Sequence, residues 1–343
     1  MFLHLAHPHE AVSTLQALCA QREERHVWVF PDGEPPQEVP DVIVVHLMEA
    51  PFTEWIHRWP GVPVVWAAWG MDYYGRFKEL SRDLILGQTR KMGVLIFKPT
   101  AIAPRFHRWL DRLRQPLGAA DERWLERVTH VSGFLEEEFP ARARLRQDVQ
   151  YIAHLYGHLD ERHRALPPIR PDARGIVIGP GAAFASNLPD AMEWVAERGP
   201  SVPVRVSLAY GSKRIMRYVD RKGTRMFPDE WEPLRAKTDL DGFLEWMSRS
   251  HCLLVFSLRM QGVRTVLYAL MMGLRVVLHP QNPALALLQR RGFIVQSSEE
   301  IGERDLARPL TPAEQEHNRR LARQTTDAQR VHASLDHLIA DAR

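Results

Sequence analysis

The chain has 343 residues, 45% hydrophobic and 25% charged, with a net charge of +3 and two cysteines. That length favours two domains over one, and the composition excludes a disordered or low-complexity protein. Cys19 and Cys252 are far apart in apolar settings, which excludes a disulfide framework and points to a reducing cytoplasm.

The mild basic excess suits an anionic ligand or a membrane surface and does not call for nucleic acid. The N-terminus lacks the basic and apolar regions of a secretory signal, and no run of about 18 apolar residues occurs. Membrane contact is therefore expected to be peripheral.

In the first half, short apolar runs alternate with amphipathic stretches. MFLHLA predicts a strand, 10–22 a helix, HVWVF and DVIVVHL two strands, PFTEWIHRW a helix and VPVVWAAW a fourth strand. Residues 76–130 read as mostly helical and rich in Arg. HVSGF (130–134) and VQYIAHLY (149–156) predict two more strands. Strands separated by helix-length segments imply parallel βαβ units.

The proline-rich stretch 164–175 suits a linker. After it the alternation restarts: GIVIGP, a helix at 189–198, VPVRVSLAY, and a polar stretch at 211–234. A helix at 241–250, CLLVFSL, a helix at 265–272, LRVVLH, a helix at 283–290 and FIVQ follow. The tail from Pro312 reads as helical. The predicted fold class is α/β, with Rossmann-like domains at 1–165 and 174–311 and a helical tail at 312–343. Ligands of such sheets sit outside the carboxyl ends of the strands.

Candidate chemistry collects at those ends. Gly179-Pro180-Gly181 leads to Ser186-Asn187 before a helix, where backbone N–H groups can meet an anion. The plain alternative is a strand-to-helix turn capped by Ser186 or Asn187. Tyr210 can stack on a base while Lys213 or Arg214 faces phosphate, or the segment is a solvated basic loop. Arg259, Gln261, Gly262, Arg264 and Thr265 form a polar turn ahead of an apolar helix whose positive end would face a diphosphate. Asp239 and Asp241 precede a helix and read as caps rather than metal ligands. The histidines show no zinc-type spacing, so no metal and no cofactor are expected. In the first half, His7, His9 and Asp72 follow strands. His9 and Asp72 are candidates to take a proton from an acceptor hydroxyl.

Three blocks carry a family resemblance: VVWAAWGMDYYGR, VIGPGAAFASN and LDGFLEWMSRSHCLLVFSLRMQGVRTVLYALMMGLRVVLHPQNP. In order and spacing they resemble the family-56 glycosyltransferases, which act in enterobacterial common antigen synthesis. The family's Trp-Gly-x-Asp-x-Tyr, Gly-then-Ser-Asn and Gln-Gly-x-x-Thr motifs fall here on Trp69 to Tyr74, on Gly179 with Ser186-Asn187, and on Gln261 to Thr265. Gly-Pro-Gly-Ala-Ala-Phe-Ala stands where the family's loop is more polar, a departure that removes or moves one contact.

The resemblance implies a GT-B architecture, two Rossmann-like domains facing across a cleft. The N-terminal domain would bind a polyprenyl-diphosphate-linked saccharide and the C-terminal domain a dTDP-sugar such as dTDP-Fuc4NAc. It implies donor contacts at Gly179, Ser186, Asn187, Gln261, Gly262 and Thr265, to which the reading of the loops adds Tyr210, Lys213 and Arg259, and acceptor contacts at Trp69, Tyr73 and Tyr74. A lipid-linked acceptor also favours a membrane role for the basic amphipathic stretch RFHRWLDRLR (105–114), at the inner face of the cytoplasmic membrane. That stretch otherwise packs on its own domain. The alternatives are a nucleotide-sugar epimerase and a non-catalytic nucleotide- or sugar-binding scaffold.

Overall fold

The computed structural model describes residues 1–6, 10–34, 36–46, 50–68, 84–96, 122–132, 145–152, 165–199 and 201–341. Eleven described strands form two wholly parallel sheets. The first, in the order β2-β1-β3-β4-β5-β6, contains β1 (Phe2–Ala6), β2 (His26–Val29), β3 (Val42–His46), β4 (Val64–Ala67), β5 (Val128–Ser132) and β6 (Gln150–Ile152). The second, in the order β11-β10-β9-β7-β8, contains β7 (Ile176–Gly179), β8 (Val204–Val206), β9 (Cys252–Val255), β10 (Arg275–Leu278) and β11 (Gln296–Ser297). The described helices are α1 (Glu10–Cys19), α2 (Ala50–Arg58), α3 (Gly87–Ile96), α4 (Leu188–Arg198), α5 (Lys213–Met226), α6 (Leu240–Ser248), α7 (Val263–Met272), α8 (Pro283–Arg290), α9 (Glu303–Leu306), α10 (Pro312–Thr325) and α11 (Ala328–Asp341). Among the described residues no helix is long and apolar enough to cross a membrane.

The chain groups into two compact units that exchange segments. One comprises Met1–Arg82, Arg105–Asp160 and Thr325–Arg343; the other comprises Asp83–Pro104 and Glu161–Gln324. In the first unit, Phe2, Ala6, Val42, Val44 and Val65 on one sheet face bury against Leu15 and Leu18 of α1 and against Val331, Leu335 and Leu338 of α11. The end of the chain therefore completes the core begun by its start. On β4, Trp66 is fully buried and meets Trp124 edge-on at 5.0 Å.

The second unit borrows α3 from the N-terminal half. Met92 of α3 is buried in the same cluster as Ile176 and Ile178 of β7 and Ala191, Met192 and Val195 of α4. Polar anchors fix it there. The Asp190 carboxylate accepts from the Gln88 and Thr89 amides at 2.8 Å each and from Thr89 Oγ1 at 2.6 Å. It thus caps the first turn of a helix about a hundred residues away. Nothing in the sequence pattern of α3 marks this partner.

Most strands fall where alternation places them, with local differences. Residues 211–234, read as a polar stretch, contain the 14-residue helix α5. Its buried line, Ile215, Val219, Lys222 and Gly223, is hidden among five further basic residues. Lys222 is buried because its Nζ meets Glu193 at 2.6 Å, and Gly223 lies flat against Trp231, leaving no room for a Cβ. The last strand is only Gln296–Ser297, beyond most of FIVQ, and α7 begins at Val263 rather than 265. Asp239 caps α6 by accepting from the Gly242 amide at 2.9 Å. Gly273 ends α7 at φ 86°, a left-handed position suited to glycine.

His251 joins β9 to two neighbours. Its Nδ1 accepts from the Gly175 amide at 3.1 Å and its Nε2 donates to the Leu306 carbonyl at 2.7 Å. Burial holds its pKa below the ordinary 6.5; the Leu306 carbonyl opposes this, while Arg275, Arg205 and Arg174 add to it. The unfolded chain therefore binds a proton that the folded ring refuses. Stability is expected to be full above about pH 6.5 and to fall as pH drops toward the depressed value. Chemical denaturation between pH 7 and 5 checks this: His251→Gln, which keeps one donor and one acceptor, should show a shallower acid limb.

Candidate functional site at the second sheet

Because the second sheet is parallel, β7, β8, β9 and β10 all end at one edge, and the loops after them meet there. Gly179 closes β7 opposite Val255 of β9. Ala182 bridges Gly211, and the Ser212 amide donates to the Ala182 carbonyl at 3.3 Å. A Cβ on Gly211 would overlap that carbonyl, so the loop carrying Tyr210 can close on the glycine loop only with glycine here.

The third loop is locked to the first at two points. Gly262 sits at φ 68°, and a Cβ on it would overlap the Pro180 ring. Gln261 Nε2 donates to the fully buried Ser186 Oγ at 3.2 Å. Gly262 precedes α7 and offers no side chain to cap its first turn. The amide dipoles of that turn give the loop cluster a partial positive charge. Beside it, Gln261 Oε1 and Arg264 Nη2 are buried without a hydrogen-bond partner among the described residues. Burying polar atoms unpaired is costly, and here it leaves one free acceptor and one free cationic donor beside the start of α7.

The structure brings together Gly179, Ser186, Gln261 and Gly262, with Arg259 half-buried on the same loop and Thr265 half-buried in the first turn of α7. Tyr210, on the neighbouring loop, is 54% exposed; its hydroxyl donates to the Thr238 carbonyl and Lys237 Nζ lies 5.6 Å from its ring. Lys213 is exposed at the first residue of α5. Asn187 differs from its predicted donor-contact role. It is fully buried, both amide N–H groups go to the Leu84 and Phe256 carbonyls, and its Oδ1 accepts from the Leu86 amide. Its side chain also does not cap α4, although the residue stands at the cap position. Asn187 ties residues 84–86 to the end of β9 instead.

His279 and Asn282, at the end of β10, are structural. The His279 ring packs edge-on against Phe256, and burial lowers its pKa. Asn282 accepts from the Ala284 amide, capping α8, and donates to the Ser257 carbonyl. Arg264, which the sequence sets beside Arg259 in the polar turn, is half-buried as Arg259 is, and each has one guanidinium nitrogen buried, Nη2 in Arg264 and Nε in Arg259. In the first unit, His7, His9, Trp69, Asp72, Tyr73, Tyr74 and the 105–114 stretch lie outside the described residues.

The sequence matches no protein-family profile and no curated protein. Solved structures do match over nearly the whole chain. A glycosyltransferase from Rickettsia africae superposes with a TM-score of 0.63 at 8% identity, covering 99% of this chain and 98% of its own. HepE of Anabaena, solved with UDP-glucose, gives 0.62 at 11% identity, covering 99% of each. The trehalose-6-phosphate synthase OtsA gives 0.51 at 12% identity, covering 89% of this chain and 73% of its own. The fold is GT-B.

Proposed function

We propose that the protein is a glycosyltransferase that takes a sugar from a nucleoside-diphosphate donor. The observation that carries this reading is the uncapped start of α7 beside the buried, unpartnered Gln261 Oε1 and Arg264 Nη2. Departure of a nucleoside diphosphate places negative charge on its phosphates, and amide dipoles and cations already in place stabilise that charge without reorganising. In this role Arg264 and Arg259 face the diphosphate, Gln261 accepts from a sugar hydroxyl, and Ser186 and the glycine loop let backbone approach. Tyr210 stacks on the base and Lys213 adds charge at the rim.

The finer reading is a dTDP-linked deoxyamino sugar, such as Fuc4NAc, transferred to a polyprenyl-diphosphate-linked saccharide at the inner face of the cytoplasmic membrane. It rests on the three resembling sequence blocks. Asp72, with His9 as the other candidate, accepts the acceptor hydroxyl's proton; Trp69, Tyr73 and Tyr74 bind the acceptor sugar. The UDP complex of HepE supports a pyrimidine donor and leaves the choice between UDP and dTDP to experiment.

A thermal-shift panel with dTDP, UDP, GDP and CMP makes that choice, since a ligand that binds only the folded state raises the melting temperature. Stabilisation by dTDP above the others is the expected result. A UDP preference keeps the transferase and replaces the donor. No response to any of the four removes the transferase reading. Conversion of the donor sugar without any acceptor would replace it with an epimerase.

A further inference from the structure

A second cluster of chemical groups lies in the first unit, on the sheet face covered by α1. Alternation along β1 puts His4 on the same side as Phe2 and Ala6, and the register sets His26 opposite Phe2 and Trp28 opposite His4. Cys19, the last residue of α1, comes down onto this face. His4 is fully buried, its ring stacked on Trp28 at 3.9 Å. Its Nδ1 meets His46 Nε2 at 2.8 Å and its Nε2 meets His26 Nδ1 at 2.9 Å.

We propose that His4, Cys19 and His26 form a binding site for a divalent cation of the zinc type. Each residue presents one ligand atom such that all three lie within 4.8 Å of one another. Typical zinc–nitrogen and zinc–sulfur bonds set tetrahedral ligand atoms about 3.3–3.6 Å apart, within reach of small rotations here. Two imidazoles and a thiolate suit zinc better than magnesium or calcium. His46 supplies the outer contact that orients a ligating imidazole, and the stacked Trp28 holds the ring plane.

Two further observations point to a guest. The Nε2 of His26 is buried and has no hydrogen-bond partner among the described residues. A cavity of about 290 Å³, lined in part by Gln16, Cys19, Glu24 and His26, opens onto the cluster and gives a cation an entry. Arg22 also lines the cavity, but Glu24 and Asp336 neutralise it by direct ion pairs. Binding replaces the Cys19 S–H bond with a metal–sulfur bond and releases one proton to solvent for each cation bound.

The test uses the full chain, stripped with chelator, dialysed against zinc and assayed for retained metal, with cobalt as a spectroscopic probe. One zinc per chain is expected, with a thiolate-to-cobalt absorption band. Cys19→Ser should abolish the band, and His26→Gln should weaken affinity at least tenfold. His57→Gln, outside the cluster, should change neither and controls for the other histidines. His26 is only half-buried, so its variant keeps the test usable where Cys19→Ser does not fold. Retention below one equivalent, or binding unchanged in both cluster variants, overturns the proposal.

Discussion

Arg264→Gln is expected to lower kcat/KM for sugar transfer by about 10²–10³-fold, the usual consequence of deleting one preorganised donor to developing charge. The side chain springs from the second residue of α7, where amide dipoles already point toward the loop cluster. Its Nη2 is buried without a partner among the described residues, so removing the guanidinium breaks no described hydrogen bond at that nitrogen. Glutamine keeps the polar end and most of the stem but removes the cation. The melting temperature without nucleotide should therefore stay close to that of the native protein, while stabilisation by the preferred nucleotide shrinks. Arg264→Lys should recover part of the loss by restoring charge without the guanidinium's fork geometry. Transfer within twofold of native in Arg264→Gln would remove this residue from the site.

Asp190→Ala is expected to cost about 2–3 kcal/mol, more than an ordinary cap, because three donors lose their acceptor at once. The Gln88 and Thr89 amides and the Thr89 hydroxyl all end on this one carboxylate, and Thr89 is fully buried. Hydrogen exchange should rise first in α3, with β7 and β9 still protected, before any global loss of structure. Asp190→Asn should fall between native and Ala, since one amide oxygen can serve only part of the set. If α3 exchanges no faster in Asp190→Ala, the carboxylate is not what holds it.

These two residues show how unevenly the chain could be read. Arg264 and its neighbour Arg259 were both visible as cations near a turn and both are half-buried; what separates them is that Arg264 springs from the first turn of α7. Asp190 stands in the first turn of its own helix, and the donors that end on it lie about a hundred residues away. Asn187 was legible as a polar residue at a strand-to-helix turn, a description that fits a ligand contact and a structural clamp alike. The clamp is what the three hydrogen bonds at its amide describe. Helix α5 escaped because five other basic side chains mask a buried line that includes a lysine and a glycine. Lys222 can be buried only because Glu193, on α4, meets it.

By itself, the sequence determined the two parallel α/β sheets, the strands that build them, the cap at Asp239 and the loops at the second sheet's edge. Each of these follows from short-range physics: alternation of side chains along a strand, dipoles at a helix end, the backbone freedom of glycine. Only the tertiary structure decided that α3 joins the second unit and α11 the first, that Gln261 reaches Ser186, and that His4, Cys19 and His26 converge. Those contacts join residues whose separation along the chain carries no periodic signal. They exist because sheet register and helix packing bring distant side chains within a few ångströms, where burial and unpaired polar atoms give them their chemistry.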